Sequence, residues 1–440
     1  MMEPFAAYSA FNQSLAQGQV AANPAPATPL LKREDARELY YPRLGIYMGG
    51  GSSHSWLWFV EVLERLGFCD LCFVDEARIA SGGLEGLDVL AISGGDTFAM
   101  AAALGPQGAK ALKKFISSGG LYLGSCAGAY LPLRSSKEPL NLFNLVPARI
   151  TNLTRVLPKA RELPEKFCTA YGCEYVFHPV REEVRLESGV QMPFAGAREF
   201  GAPLYGGPGL IESDPKQVLA RYCGFSEKTR FLVDRKLAAR TLIGKAAVLR
   251  ANLGKGKLYL FGPHFEHPGF KEANRLLADA IYWDLPLSKR GAEPGRTWSR
   301  FLREKPARDF LRALKREISN CRIVAVGLED HPARWLIGKK VYEPAKLRVY
   351  LEAVWSRLRA WERLEMAAAP KDDGHALADL WQDISGRLRL LKQGLDAGSD
   401  TLDLATGLFR DLNQGAAAFL GLYFDSVLPK FRGEKTGALH

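Results

Sequence analysis

The sequence predicts an α/β protein: a doubly wound, mostly parallel sheet followed by an all-α helical region. Up to about residue 283, short apolar runs alternate with helical segments, which implies right-handed crossovers between parallel strands. Several of these runs end in glycine-rich turns, which is typical of strands that lead into a helix. From Arg296 onward the pattern is helical, with apolar residues spaced as on one face of a helix.

The first strand is expected at Leu44–Met48, where an apolar run ends in the glycine- and serine-rich segment Gly49–Ser53. That segment lacks the lysine of a phosphate-binding loop, so it predicts a tight turn beside the expected active-site cleft. A helix follows, because four large apolar residues recur at helical spacing: Trp56, Phe59, Val60 and Leu63.

Further strands are expected near Cys69–Val74, at Asp88–Ser93 and at Leu121–Leu123, with a helix from Thr97 to Ser117 interrupted at Gly105-Pro106. The continuous apolar character of the second of these strands predicts burial on both faces. Residues 134–262 are rich in strand signals. They end in a predicted β-hairpin, with strands at 247–253 and 258–261.

The chain divides into four predicted parts. Residues 1–40 are rich in Ala, Pro, Gln and Ser, which predicts a flexible arm. Residues 41–287 form the α/β domain, and residues 288–295 are a polar linker with Gly and Pro. Residues 296–440 form a helical bundle or hairpin array.

Composition narrows the class of protein. The chain has 440 residues and a net charge of +11, but the positive charge is spread out and no nucleic-acid-binding motif accompanies it. No apolar run approaches the roughly 18 residues of a membrane helix. The odd and low count of 7 cysteines favours a reduced, cytoplasmic protein over a disulfide scaffold.

The segment Gly124–Gly128, Gly-Ser-Cys-Ala-Gly, is the most informative part of the sequence. A predicted strand, a Gly-x-Cys-x-Gly turn and a following helix are typical of a nucleophile elbow, which projects the central side chain from a strained turn. Cys126 is therefore a candidate nucleophile, and the backbone N–H of Ala127 a candidate oxyanion donor. The helix N-terminus would favour the thiolate. A buried core cysteine is the alternative interpretation.

His264 and Glu266 follow the second strand of the predicted hairpin. In extended backbone, residues two apart project to the same side, so Glu266 could orient the imidazole of His264 towards Cys126. Such an arrangement supplies a nucleophile, a base and an orienting group.

Gly94, Gly95 and Asp96 end the strand at Asp88–Ser93. Two glycines there allow close approach of a ligand to the backbone, and one of their N–H groups could complete an oxyanion hole. Asp96 could contact a ligand, or it could cap the helix that begins at Thr97.

These motifs resemble the class I glutamine amidotransferase-like superfamily, and within it the N-terminal domain of eukaryotic-type biotin–protein ligases. The resemblance covers about Leu44 to Trp283. It rests on the Ser-Gly-Gly-Asp strand end, the cysteine elbow and the Gly-Pro-His-Phe-Glu-His-Pro segment. A further glycine-rich match begins at Tyr205, Gly206 and Gly207, which the resemblance places beside the substrate.

The resemblance implies a flavodoxin-like sheet and a triad of Cys126, His264 and Glu266 that attacks a side-chain amide, forms a thioester and releases ammonia. Two features depart from it. No biotin-ligase adenylate loop follows Trp283, so we do not expect a biotin ligase. No recognisable ammonia-accepting synthetase follows either.

Two classes of function remain open. The first is a cysteine hydrolase or amidotransferase-like enzyme acting on glutamine or another small amide. The second is a non-catalytic ligand-binding or regulatory module on the same scaffold, with residues 296–440 binding a protein partner. A peptidase-like hydrolase is a further variant of the first class. The sequence holds no motif for a cofactor or a metal.

Overall fold

The structure is a computed structural model that describes residues 42–68, 70–151, 179–189, 198–284, 308–338, 340–363 and 373–431. The predicted flexible arm at 1–40 and the predicted linker at 288–295 lie outside these residues. The chain separates into two compact units, Met1–Ala292 and Glu293–His440.

Four parallel strands form the first part of the sheet in unit one: β1 (Leu44–Tyr47), β2 (Leu71–Val74), β3 (Val89–Ile92) and β4 (Leu121–Ser125). Their order is β4-β3-β1-β2, and every neighbouring pair is parallel. The strand at β3 is buried along its whole length, as its apolar run predicts.

Helices follow each of these strands, and the helix at Glu76–Ala80 was not predicted from the sequence. They are α1 (Trp56–Arg65), α2 (Glu76–Ala80), α3 (Thr97–Ser117) and the short α4 (Ala127–Tyr130). The predicted interruption of α3 is a kink at Gly105, whose φ of 55° lies in the left-handed region that glycine adopts without strain.

The sheet continues with antiparallel strands, which are β5 (Arg149–Ile150), β6 (Val180–Ser188), β7 (Glu199–Leu204), β8 (Leu210–Ile211), β9 (Val218–Phe225), β10 (Arg230–Phe231), β11 (Ala246–Leu253) and β12 (Gly256–Phe261). The predicted hairpin is confirmed, because β11 and β12 pair antiparallel. β12 then pairs parallel with β4, which joins the two halves into one 12-stranded mixed sheet.

Among the described residues of unit one, two further helices follow: α5 (Arg235–Leu242) and α6 (Lys271–Asp284). The end of α6 is hydrogen-bonded to the β11–β12 hairpin. Asp284 accepts hydrogen bonds from Arg250 at 2.7 Å and from the Tyr259 hydroxyl at 2.6 Å. The carboxyl ends of β3, β4 and β12 lie at one edge of the sheet, where ligands bind in open α/β sheets.

Unit two contains the helices α7 (Arg308–Val326), α8 (Ala345–Arg363), α9 (Asp373–Asp396) and α10 (Leu402–Phe431). A two-stranded hairpin, β13 (Trp335–Ile337) with β14 (Lys340–Tyr342), interrupts the helices and was not predicted. It packs on α10, where the Trp335 indole donates a hydrogen bond to Thr401 at 2.9 Å. Within the described residues, no helix has the length and apolarity needed to cross a membrane.

Candidate active site

Cys126 follows β4 directly, and its backbone is held in an unusual conformation. Its φ is 51°, in the region that residues other than glycine rarely adopt. Its N–H donates a hydrogen bond to the carbonyl of Phe261 at the end of β12, at 3.0 Å. The turn therefore has the strained geometry that the Gly-x-Cys-x-Gly motif predicts.

The two glycines of the motif allow strand and helix to approach closely. A Cβ on Gly124 would collide with the carbonyl oxygen of Gly128, and a Cβ on Gly128 with the carbonyl oxygen of Ile92. Both obstacles are backbone atoms, which a side-chain rearrangement cannot relieve. The N–H of Gly128 also donates to the carbonyl of Ser93 at 3.1 Å, which ties the elbow to the end of β3.

His264 and Glu266 lie directly after β12, and their side chains meet. The Nδ1 of His264 is 2.7 Å from Oε1 of Glu266, and the two residues are 3% and 0% exposed. The backbone between them is a turn rather than an extended strand, closed by a hydrogen bond from the His267 N–H to the His264 carbonyl at 3.0 Å. The extended arrangement expected from the sequence is thus wrong in its backbone, although the two side chains do pair.

Two serines complete the surroundings of Glu266. Ser93 donates to Oε1 and Ser125 donates to Oε2, each at 2.6 Å. Burial alone would raise the pKa of Glu266, but the neighbouring His264 ring and these hydroxyls lower it below its ordinary value. The carboxylate is therefore ionised in the folded protein.

The Cys126 side chain lies near enough to the His264 ring to interact with it electrostatically. Burial favours the neutral ring, but the Glu266 carboxylate and Cys126 outweigh it and raise the pKa of His264 to about 10. The imidazole is therefore protonated at neutral pH. Cys126 is 7% exposed, and its Sγ lies 3.9 Å from the carbonyl oxygen of Tyr205.

Gly94 and Gly95 follow β3, and Gly94 lies beside the His264 ring. A Cβ on Gly94 would lie 2.6 Å from Cε1 of His264, so the absence of a side chain makes room for the imidazole. Among the described residues, we find no hydrogen bond donated by the N–H of Gly95 or of Ala127. These two amides come from the ends of β3 and β4 and suit the role of oxyanion donors.

Asp96 begins α3, and its side chain accepts hydrogen bonds from the N–H groups of Phe98 and Ala99 at 3.0 and 3.1 Å. Its backbone is extended, as at an ordinary N-cap. Of the two interpretations that the sequence left open, the structure places the carboxylate in the cap.

The segment from Tyr205 to Gly207 follows β7 and contacts Cys126 and His264. The Tyr205 ring is 5.7 Å from the His264 ring between centroids, and its hydroxyl donates to Glu182 at 3.0 Å. The Gly206 carbonyl accepts a hydrogen bond from the Tyr130 hydroxyl at 3.1 Å. Gly207 has no room for a side chain, because a Cβ would overlap the carbonyl of Gly262.

Sequence reasoning missed two groups of residues around His264. The Trp58 ring packs edge-on against His264 at 5.4 Å and against His267 at 4.6 Å. Trp58 is a large aromatic residue outside the predicted apolar face of α1. Its position on the other face is the signal that could have identified it. The second group is the set of buried serines that contact Glu266 or one another, and single serines in strand ends carry no recognisable sequence signal.

Within the described residues, no cluster of His, Cys, Asp or Glu side chains is placed to hold a metal ion. The chemistry that the site offers is that of a polarised thiol, a protonated imidazole, a buried carboxylate and two backbone amides.

Comparison with known families agrees with the resemblance seen in the motifs. Residues 73–137 match the family model described as biotin-protein ligase, N terminal, which confirms the resemblance over that segment. The matched segment contains β3, α3 and the Cys126 elbow. His264 and Glu266 lie outside it. No curated protein matches the chain.

Several solved structures are similar to part of the chain. A putative GMP synthase component from Thermoplasma acidophilum is 17% identical with a TM-score of 0.32, covering 55% of this chain and 94% of that one. A putative ThuA-like protein from Bacteroides uniformis is 14% identical with a TM-score of 0.34, covering 60% and 95%. A β-galactosidase from Bacillus circulans sp. alkalophilus is 11% identical with a TM-score of 0.30, covering 58% and 32%.

Proposed function

We propose that this chain is a cysteine-dependent hydrolase of the glutamine amidotransferase type, which cleaves the amide of glutamine or of another small molecule. Cys126 is the nucleophile, His264 is the general acid and base, and Glu266 orients and charges the imidazole. The observation that carries the proposal is the convergence of a cysteine on a strained elbow with a buried His264–Glu266 pair bonded at 2.7 Å.

The first step is attack of the Cys126 thiolate on the carbonyl carbon of the amide. A carbon–sulfur bond forms, and the carbonyl oxygen takes up the negative charge of the sulfur. The backbone N–H groups of Gly95 and Ala127 stabilise that oxyanion, which in comparable sites is worth about 100- to 1,000-fold in rate for each donor.

The second step expels ammonia. Protonated His264 transfers its Nε2 proton to the amide nitrogen, the carbon–nitrogen bond breaks, and a thioester to Cys126 remains. Glu266 keeps its hydrogen bond to Nδ1 throughout, which holds the ring in the tautomer that the transfer requires.

The third step regenerates the enzyme with water. Neutral His264 removes a proton from a water molecule, which attacks the thioester carbon and releases the carboxylic acid and the thiolate. The net reaction converts an amide and water into an acid and ammonia. Water is the acyl acceptor in this step, whatever becomes of the ammonia that left in the second step.

The proposal is tested by measuring ammonia released from glutamine and from a panel of small primary amides. We expect turnover by the wild-type chain and none by Cys126→Ala. The enzymatic function would be contradicted by an amide that binds the wild-type chain and Cys126→Ala equally well, releases no ammonia and does not label Cys126. That outcome would support the alternative, a ligand-binding module on the same scaffold.

A further inference from the structure

A chain of buried serine hydroxyls leads to the carboxylate of Glu266. Ser93 donates to Oε1 at 2.6 Å, and Ser93 and Ser55 have their hydroxyl oxygens 2.8 Å apart. Ser55 in turn lies 2.9 Å from Ser53. All three serines are buried, and they come from two loops, the one after β1 and the one after β3.

The direction of these hydrogen bonds follows from counting protons. An ionised carboxylate only accepts, so the single hydroxyl proton of Ser93 goes to Glu266. The Ser93 hydroxyl is also oriented to donate to Ser55, but the charged carboxylate is the stronger acceptor. The hydroxyls of Ser55 and Ser53 donate to the carbonyl of Gly94, which lies 3.3 and 3.0 Å away. Ser93 is therefore the serine of this chain whose proton reaches Glu266.

Ser125 supports the other oxygen of Glu266 from the end of β4. Its hydroxyl lies 2.6 Å from Oε2 and 3.1 Å from the carbonyl of Pro263, and the charged oxygen is the stronger acceptor. With the Nδ1 proton of His264, Glu266 thus has three donors on two oxygens. Both oxygens are fixed, so the carboxylate cannot rotate away from the ring.

We propose that Ser93 and Ser125 are positioning residues that keep Glu266 ionised and aimed at His264. The proposal rests on the proposed function, because it concerns the same triad. It adds that the orientation and charge of the His264 ring depend on two buried hydroxyls that contact Glu266 rather than the ring itself.

The physical link is a sequence of charges. The serines stabilise the Glu266 carboxylate, the carboxylate stabilises the protonated His264 ring, and the ring stabilises the Cys126 thiolate. His264 is the titratable group that faces Glu266, and the Tyr222 phenol lies near both Cys126 and Tyr130. Burial raises the pKa of Tyr222 well above its ordinary value, so this phenol stays neutral in the range tested.

The test is the pH dependence of Cys126 alkylation by iodoacetamide, followed by peptide mass spectrometry on the full chain. Ser93→Val and Ser125→Val remove a hydroxyl. Ser93→Thr and Ser125→Thr keep the hydroxyl in a side chain of the same volume as valine. We expect the pH of half-maximal alkylation to rise by about one unit in the valine variants, as loss of a charged hydrogen bond requires. The threonine variants should stay near the wild type.

Controls separate the failure of this proposal from that of the proposed function. Ser52→Ala alters the same loop, but its hydroxyl bonds the Tyr47 carbonyl at 3.4 Å, so the midpoint should not move. His264→Gln defines the midpoint of an unassisted thiol. A wild-type midpoint equal to that of His264→Gln would contradict both proposals. A low wild-type midpoint shared by the valine variants would overturn the serine proposal alone.

Folding is checked for each variant by circular dichroism. Where a branched side chain prevents folding, Ser93→Ala and Ser125→Ala serve instead, because they remove the hydroxyl that contacts Glu266 and add no atoms. We expect the same upward displacement of the midpoint. An unchanged midpoint in both folded alanine variants would overturn the serine proposal.

Discussion

Ser93 and His264 share one oxygen atom of Glu266: the serine hydroxyl lies 2.6 Å from Oε1 and the His264 Nδ1 lies 2.7 Å from it. The two donors come from the ends of β3 and β12, so the carboxylate joins strands from distant parts of the chain. Because Glu266 is fully buried, each lost donor leaves charge uncompensated. Changes to these residues and to the packing around them therefore have measurable consequences.

Glu266→Gln removes the charge that keeps His264 protonated while it conserves the size of the side chain. We expect the kcat of amide hydrolysis to fall at least about 100-fold, since that is the ordinary contribution of a general acid and base. KM should change little. The control is Glu272→Gln on the exposed face of α6, which should leave both constants unchanged, and an equal loss in the two variants would contradict the role of Glu266.

Gly128→Ala tests the close packing beneath the elbow. Its Cβ would overlap the carbonyl oxygen of Ile92, so we expect the free energy of unfolding of unit one to fall by about 1–3 kcal/mol. The matched control is Gly386→Ala in α9, where no atom lies within 4 Å of the new Cβ. That change should stabilise unit two by about 0.5–1 kcal/mol, because alanine favours a helix over glycine. Urea unfolding followed by fluorescence measures both.

Asp96 distinguishes a helix cap from a substrate ligand. Asp96→Ala should lower the free energy of unfolding by about 0.5–2 kcal/mol through loss of its bonds to Phe98 and Ala99. Asp96→Asn should retain most of that stability. Neither variant should alter KM for the amide, and a KM raised tenfold in Asp96→Asn would show that the carboxylate binds substrate.

Asp279 should make stability depend on pH. Burial raises the pKa of Asp279 to about 6, although Arg275 lies 3.9 Å away and opposes the rise. The folded protein therefore holds this proton more tightly than the unfolded chain, whose carboxyl has a pKa near 4. The stabilisation of the folded protein by this bound proton is fully present below about pH 4 and is lost as the pH rises through about 6.

The matching variant is Asp279→Asn, which cannot ionise. The quantity to compare is the free energy of unfolding of Asp279→Asn minus that of the wild type. We expect this difference to be about 2–3 kcal/mol larger at pH 8 than at pH 4, which is the value of two pKa units. Asp284→Asn is the contrasting change, because that carboxylate is paired with Arg250 and its loss should destabilise. A difference between Asp279→Asn and wild type that is constant over this range would contradict the raised pKa.

The parallel half of the fold was predictable because its strands are short apolar runs, and β1, β3 and β4 lead into glycine-containing turns. The β13–β14 hairpin was not, because strands of three residues such as Trp335–Ile337 are too short to show a period. Cys126, His264 and Glu266 could be named as candidates from the sequence because elbow geometry and pairing require particular residue types. The contact of Ser93 with Glu266 was missed because it depends on which loops meet, and that is fixed by tertiary packing.

The most direct test of the central claim is the rate of iodoacetamide alkylation at pH 6, resolved for each of the seven cysteines by mass spectrometry. The account predicts that Cys126 reacts faster than the other six cysteines, although it is largely buried, and that His264→Gln abolishes this advantage. If Cys126 reacts no faster than the other cysteines, or equally fast without His264, the proposed site does not activate its sulfur.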